Sequence, residues 1–258
     1  MAGIRKVMCS RYQTGSERLV KAILFDLDDT IFDHRYAVLE SLKDIQKEFE
    51  CFSKYPLHEF EAMHSEVLER IHLNDVLSGK MNIDEARAER FRLLFDTAGQ
   101  SVNNDEHWAA SRTYRKRYMN TKRAIEGAAE LLEKLHGKAK LAIVSNNLLS
   151  EQVPKLREIG FEKYFDVLVT SAEAGVAKPD KRIFEIALEK LSVTPNEAVV
   201  IGDSFEKDVI GAFNAGIRSI WLNRTENGSA LEPGKFNSKK ISSLNDPTGI
   251  IKLIFNER

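Results

Sequence analysis

Five short apolar runs, four of them preceded by a helical pattern, constrain the fold of this chain most strongly. The runs are rich in Val, Ile and Leu, which is typical of buried strands. They cover residues 22–26, 141–145, 167–170, 198–203 and 219–222. Helical patterns precede the last four runs, over 127–135, 149–159, 181–191 and 206–215, and Gly160 and Gly216 are placed as C-terminal caps. This alternation predicts a parallel sheet with helices on both faces.

A long segment between the first two predicted strands breaks the alternation. From Phe32 to about Ala124 no run resembles a strand, and apolar residues recur at helical spacing instead. We therefore expect a second, smaller all-helical domain over 34–123, inserted into an α/β core domain formed by 21–33 and 124–258. The leader, residues 1–20, has no signal-peptide core, and we expect it to be flexible.

Composition and charge exclude several classes of function. The chain has 258 residues, of which 43% are hydrophobic and 30% are charged, as in a globular protein. With 38 Lys and Arg against 39 Asp and Glu, no overall charge attracts it to nucleic acid or to a membrane. Cys9 and Cys51 are too few for a disulfide framework, and no apolar run is long enough to cross a membrane. We expect a cytoplasmic monomer or homodimer.

Polar residues stand at the ends of four predicted strands. In an open parallel sheet, ligands bind beyond the carboxyl ends of the strands, so such residues can meet although they are far apart in sequence. Each one alone is compatible with a turn or a helix cap, but together they favour a shared site. In chain order they are Asp26, Asp28 and Thr30, then Ser145 and Asn146, then Lys178, and finally Asp203 and Asp208.

The carboxylates of this set indicate a metal-assisted reaction. Two carboxylates about 4 Å apart repel by about 4 kcal/mol at an effective dielectric constant of 20, so Asp26, Asp28 and Asp203 would need a cation between them. Mg²⁺ prefers oxygen ligands and is commonly held by one or two carboxylates together with a substrate phosphate. Lys178 adds a second positive charge, and a carboxylate can act as the nucleophile on phosphorus.

The same residues resemble the motifs of the haloacid dehalogenase-like hydrolase superfamily, over about Lys21 to Asn223. The stretch Asp26-Leu27-Asp28-Asp29-Thr30 is similar to the first motif, and the later motifs are matched by Ser145, by Lys178, and by Gly202-Asp203 with Asp208. The resemblance implies a Rossmann-like core with a small helical cap of the first type. It also implies a Mg²⁺-dependent phosphatase whose partner is a small phosphate ester, such as a nucleotide or a sugar phosphate.

The resemblance further implies a role for each residue. Asp26 is the nucleophile, forms an aspartyl-phosphate and binds the metal. Asp28 offers its backbone carbonyl to the metal, and its side chain acts as acid and then as base. Because the acid role needs a proton, we expect neighbouring anions to raise the pKa of Asp28. The remaining roles are phosphate binding by Ser145, Asn146 and Lys178, completion of the metal site by Asp203, and support by Thr30 and Asp208.

Particular residues distinguish this phosphatase pattern from other functions of related chemistry. Stretches around Lys178 and Asp203 look similar to 5'-nucleotidases and N-acylneuraminate-9-phosphatases. A phosphomutase of the same fold shares the chemistry of Asp26 and Asp28 and stays open as an alternative. A dehalogenase lacks an acid at the position of Asp28. A non-enzymatic, aspartate-phosphorylated signalling domain is disfavoured because Lys178 precedes the last acidic motif, whereas a receiver domain has its lysine near the end.

Several residues of the helical segment are interpreted as structural. The basic residues between Arg112 and Arg123 more often indicate a solvated helix face than a substrate contact. Four histidines of the segment show no metal-ligand spacing, and we interpret them as surface or packing residues. They are His34, His58, His64 and His72.

Overall fold

A six-stranded parallel sheet forms the centre of the molecule, in a computed structural model that describes residues 20–76, 78–225 and 232–255. The strands are β1 (Ala22–Phe25), β2 (Lys140–Ser145), β3 (Val167–Thr170), β4 (Ala198–Gly202), β5 (Arg218–Leu222) and β6 (Ser238–Ile241). Their order across the sheet is β3-β2-β1-β4-β5-β6, and every neighbouring pair is parallel. The flexible leader predicted for residues 1–20 lies, up to residue 19, outside the described residues.

The sheet confirms the predicted α/β fold class, and each of the five predicted strands begins and ends within one residue of its predicted bounds. Successive side chains of a strand point to opposite faces. In β1, Ile23 and Phe25 pack into one hydrophobic layer, while Ala22 and Leu24 pack into the other. Both faces are therefore covered, which explains why the strands appear in the sequence as continuous apolar runs.

Helices pack on both faces of the sheet. Apolar residues of α6 and α11 belong to the layer that contains Phe25, and apolar residues of α9 belong to the layer that contains Leu24. None of the helices in the described residues combines the length and the apolar character needed to cross a bilayer. The α-helices are α1 (His34–Glu48), α2 (Glu50–Ser53), α3 (Leu57–Ile71), α4 (Ile83–Thr97), α5 (Asn104–Asn120), α6 (Ala128–Leu135), α7 (Leu149–Glu158), α8 (Ser171–Ala174), α9 (Lys181–Leu191), α10 (Gly211–Asn214) and α11 (Pro247–Phe255).

The segment between β1 and β2 is helical, as its periodicity predicts. Helices α1 to α5 pack on one another around buried aromatic rings, and the ring of Phe52 lies 4.7 Å from that of Phe60 and 4.8 Å from that of Phe95. The two chain crossings that lead into and out of this segment are paired. The Asp33 N–H donates to the Arg123 carbonyl at 3.0 Å, and the two side chains form an ion pair of 2.7 Å. The division into two domains stays a prediction.

Two elements differ from the sequence prediction. Strand β6 was not predicted, because Lys239 and Lys240 interrupt its apolar pattern. Both lysines are exposed at the edge of the sheet, where charged residues oppose pairing with another chain. The helix predicted over 206–215 is instead a π-helical turn over Phe205–Ile210 followed by α10. Wide turns of this kind occur frequently at functional sites.

Candidate active site

The predicted site residues meet at the carboxyl end of the sheet. Paired with the ends of β2 and β4, β1 presents Asp26 directly beside the Ile201 carbonyl, which accepts from the Asp26 N–H at 2.9 Å. A cavity of about 510 Å³ opens here and continues between the sheet and the helical segment. Seven of the eight predicted residues line it, namely Asp26, Asp28, Ser145, Asn146, Lys178, Asp203 and Asp208. Thr30 lies behind them and donates from Oγ1 to Asp26 Oδ2 at 3.1 Å.

Lys178 bridges two buried aspartates. Its Nζ donates to Asp26 Oδ1 at 2.6 Å and to Asp208 Oδ1 at 2.7 Å. Burial alone would lower the pKa of Lys178, but Asp208 and Asp26 together raise it above its ordinary value. The lysine is therefore a fixed positive charge beside the Asp26 carboxylate.

The aspartates of the site nevertheless have more negative charge than Lys178 can balance. Burial, followed by the charge of Asp208, raises the pKa of Asp26 to about 7 against the opposing effect of Lys178. Burial and the charges of Asp26 and Asp208 raise the pKa of Asp203 well above its ordinary value. Oxygen atoms of Asp26, Asp203 and Asp208 all lie within 4.8 Å of one another. This set of carboxylate oxygens fits a divalent cation, because the added charge would let the acids ionise together.

The position of Asp208 depends on a glycine at the end of β4. The Asp208 carboxylate turns back to accept from the Ser204 N–H at 3.0 Å, while its other oxygen accepts from Lys178. A Cβ placed on Gly202 would lie 2.3 Å from Asp208 Cγ, far inside contact distance. Any side chain at residue 202 would therefore displace Asp208 and, with it, Lys178.

Asp28 pairs with the cation Lys155, so the expectation that anions raise the pKa of Asp28 is wrong. Lys155 Nζ donates to Asp28 Oδ1 at 2.6 Å, Gln152 Nε2 donates to Oδ2 at 2.8 Å, and His34 Nδ1 lies 4.0 Å away. Burial would raise the pKa of Asp28, but Lys155 and His34 outweigh it and hold this pKa far below its ordinary value. In the free protein Asp28 is ionised.

Ser145 and Asn146 follow β2 and are held by neighbouring groups. Ser145 is buried, and its Oγ accepts from Gln152 Nε2 at 2.6 Å. The Asn146 side chain makes two hydrogen bonds to the backbone of Lys178, one to its carbonyl at 2.9 Å and one from its N–H at 2.7 Å. Asn146 thus fixes the loop that presents Lys178, and a direct contact of its side chain with phosphate stays a prediction.

Sequence reasoning did not single out Gln152 and Lys155. They lie three residues apart on the face of α7 that points to the cavity, next to buried Leu156. The sequence did contain a signal for them, because a helix face that packs against a sheet is normally apolar and these two residues are polar. Trp221 is buried, and its Nε1 donates to the Asp203 carbonyl at 2.8 Å.

Some basic residues and histidines of the helical segment line the cavity, and others do not. Arg115 lines the cavity, whereas Arg112 and Lys116 are exposed. His34 and His72 also line the cavity, a position that the sequence did not indicate. His64 is buried and His58 is exposed, as that interpretation expects.

The sequence of this chain matches the model of a known protein family. A family model described as haloacid dehalogenase-like hydrolase matches residues 23–222, which include every predicted site residue. This chain belongs to the haloacid dehalogenase-like hydrolase family. The resemblance noted from the four sequence motifs is thereby confirmed.

Individual members of the haloacid dehalogenase-like family are similar over different lengths. Pyrimidine 5'-nucleotidase YjjG of Escherichia coli (strain K12) is 42% identical over 100 residues, which are 38% of this chain and 44% of that protein. Glyceraldehyde 3-phosphate phosphatase of Methanothermobacter thermautotrophicus is 29% identical over 80% of this chain and 86% of that protein. The crystal structure of YfnB from Bacillus subtilis matches with a TM-score of 0.70 at 24% identity, covering 92% of this chain and 99% of that one. The last similarity shows the fold.

Proposed function

We propose that this protein is a magnesium-dependent phosphatase that hydrolyses a small phosphorylated metabolite through an aspartyl-phosphate on Asp26. The position of the Asp26 carboxylate supports this most strongly, since it lies between Lys178 and a cluster of further carboxylates at the inner end of a cavity. The names of two relatives, a pyrimidine 5'-nucleotidase and a glyceraldehyde 3-phosphate phosphatase, support a small phosphate ester as substrate.

Asp26 and Asp203 would hold the cation, together with the backbone carbonyl of Asp28. Asp208 is less available, because its two oxygens already accept from Lys178 and from the Ser204 N–H. When bound, Mg²⁺ would neutralise the negative charge that accumulates as an anionic carboxylate approaches an anionic phosphate.

The first chemical step forms a bond between an Asp26 carboxylate oxygen and phosphorus, and the bond from phosphorus to the ester oxygen breaks. Lys178 holds Asp26 in place and balances charge on the phosphoryl oxygens. Ser145, at the end of β2, donates a hydrogen bond to a phosphoryl oxygen. In the second step water attacks phosphorus, the bond between Asp26 and phosphorus breaks, and phosphate leaves with Asp26 restored.

Asp28 moves the protons in both steps. The ester oxygen leaves with a proton from Asp28, and Asp28 later takes a proton from the attacking water. Because Asp28 is ionised beside Lys155 in the free protein, it must gain its first proton after the ester binds. A phosphate monoester, whose second pKa is about 6, carries such a proton in its monoanionic form.

Helices α1 to α5 would form the cap domain, with residues 34–123 as its range. Residues of α1, α3, α4 and α5 line the cavity, and the paired crossings at Asp33 and Arg123 are the places where the cap would hinge. Such a cap excludes water from the reaction and contacts the part of the substrate that is not transferred.

Phosphate release from an aryl phosphate, with Mg²⁺ and with excess EDTA, tests the proposal. We expect hydrolysis with Mg²⁺ and none with the chelator. Undiminished activity in excess EDTA would show that the reaction does not need a metal ion. If the phosphoryl group were transferred to a sugar hydroxyl instead of to water, the protein would be a phosphomutase that uses the same nucleophile.

Thermal unfolding separates metal binding from turnover. At 100 times its dissociation constant, Mg²⁺ should stabilise the protein by about 2.7 kcal/mol. Asp203→Asn should remove this stabilisation. Glu206→Gln, an exposed residue in the adjoining turn, is the matched control and should keep it.

A further inference from the structure

Arg90 is a buried cation of the helical segment. It lies on α4, lines the helical wall of the cavity and has only 6% of its surface exposed. Its Nε is buried without a hydrogen-bond partner, and within residues 20–76, 78–225 and 232–255 no carboxylate forms an ion pair with the guanidinium. An unpaired buried charge is costly to a folded protein, so such groups are normally paired.

The groups behind Arg90 are aromatic and uncharged. The guanidinium carbon lies 4.9 Å from the centre of the Tyr114 ring and 5.6 Å from that of Phe91. His64 packs against Tyr114, and burial followed by the charge of Arg90 holds the pKa of His64 well below its ordinary value, so its ring is neutral. Ring faces attract a cation but do not neutralise it. The missing negative charge must therefore come from the cavity.

The charged residues next to Arg90 do not supply this negative charge either. Arg87 and Arg115 both form ion pairs with Glu151, at 2.7 Å and 3.0 Å. The negative charge of Glu151 is therefore already balanced by these two arginines. Tyr114 also lines the cavity, and its hydroxyl has no hydrogen-bond partner among the described residues. The helical wall thus carries an excess of positive charge and a free donor, whereas the sheet side of the same cavity carries Asp26 and Asp203.

We propose that Arg90, with the Tyr114 hydroxyl, binds a second anionic group of the substrate, either a carboxylate or a further phosphate. The substrates would then be phosphate esters that carry a negative charge at the end remote from the reacting phosphate. This inference rests on the proposed phosphatase function, because the reacting phosphate occupies the end of the cavity at Asp26. A cavity of about 510 Å³ is large enough to hold such a molecule whole.

A series of alkyl phosphates of increasing length, ending in methyl, carboxylate or phosphate, tests the proposal. For one chain length, the wild-type protein should prefer a charged end over methyl by about 10-fold to 100-fold in kcat/KM, mainly through KM. Arg90→Met should abolish this preference and leave hydrolysis of the methyl-ended esters within about twofold of wild type. Arg90→Lys, which keeps the charge, should restore part of the preference. The carboxylate and phosphate series identify which anion is bound.

Arg112→Met is the matched control, since Arg112 is exposed on α5, and it should change none of these values. An equal loss for charged and methyl-ended esters in Arg90→Met would show a packing role and overturn the proposal, as would a wild-type protein without preference. Thermal stabilisation by the same esters is measured in parallel. If no ester releases phosphate while charged-end esters still stabilise the protein through Arg90, the phosphatase proposal fails and the Arg90 proposal stands.

Discussion

Lys178 Nζ and Asp26 Oδ1 lie 2.6 Å apart, although 152 positions separate the two residues in the chain. The contact forms because β1 ends beside the loop that follows β3 and α8, and because Asn146 holds that loop by two hydrogen bonds. The same lysine reaches Asp208, so one cation organises two buried acids. Both the stability and the proposed chemistry of the site depend on it.

Lys178→Met should lower both activity and stability. Methionine preserves most of the length but leaves Asp26 and Asp208 without their cation, and breaking a buried ion pair costs about 3–5 kcal/mol. Urea unfolding in EDTA measures the stability, and phosphate release with Mg²⁺ measures the activity. Lys181→Met, at an exposed residue three positions away, is the control. Equal stability of the two variants would show that Lys178 is not needed to balance the acids.

Gly202→Ala should damage the site through Asp208. The new methyl group would lie 2.3 Å from Asp208 Cγ, so either the carboxylate or β4 must move. Overpacking of this kind costs about 1–3 kcal/mol, and the shift of Asp208 should also reduce turnover. Gly234→Ala is the matched control, because no atom of the described residues lies within 4 Å of the added methyl there. A Gly202→Ala protein as stable and as active as this control would contradict the proposed dependence of Asp208 on Gly202.

The raised pKa of Asp26 predicts a pH-dependent stability difference in the absence of metal. Asp26 keeps its proton in the folded protein up to a pKa of about 7, whereas an ordinary aspartate loses it near 3.8. Between these values the folded state binds more protons, so the contribution of Asp26 to stability falls as pH rises from about 4 to 7 and is constant above. An asparagine side chain has no proton to lose, so the pH-dependent contribution disappears in Asp26→Asn.

Urea unfolding of the wild type and of Asp26→Asn in EDTA measures this difference. The stability of Asp26→Asn relative to wild type should increase between pH 4.5 and pH 8 by on the order of 3 kcal/mol. Asp105→Asn, at an exposed site, should show no such trend. If the free energies of unfolding of the wild type and of Asp26→Asn differ by the same amount at both pH values, the pKa of Asp26 is not raised.

The strands and the site were predictable because their signals are local and strong. A buried strand such as β4 is a continuous apolar run, and a polar residue directly after it must lie at the carboxyl edge of the sheet. Asp26, Ser145 and Asp203 were found in this way. The order of the strands then determines that they meet.

Other features could not be predicted because they depend on contacts distant in sequence. The pKa of Asp28 is low because Lys155, 127 positions later, reaches it from α7. Strand β6 has two lysines and no apolar run, so only pairing with β5 reveals it. Arg90 is one of several arginines on α4, and its burial among aromatic rings becomes apparent only in the packed structure.

Phosphate release by Asp26→Asn shows whether the Asp26 carboxylate is the nucleophile. Asparagine has nearly the same shape and can accept the hydrogen bond from Thr30, but it cannot act as an anionic nucleophile. In a variant shown to be folded by circular dichroism, we expect turnover below about a thousandth of the wild-type rate with saturating Mg²⁺. A folded Asp26→Asn protein that retains more than about a tenth of that rate would contradict the assignment of Asp26 as the nucleophile.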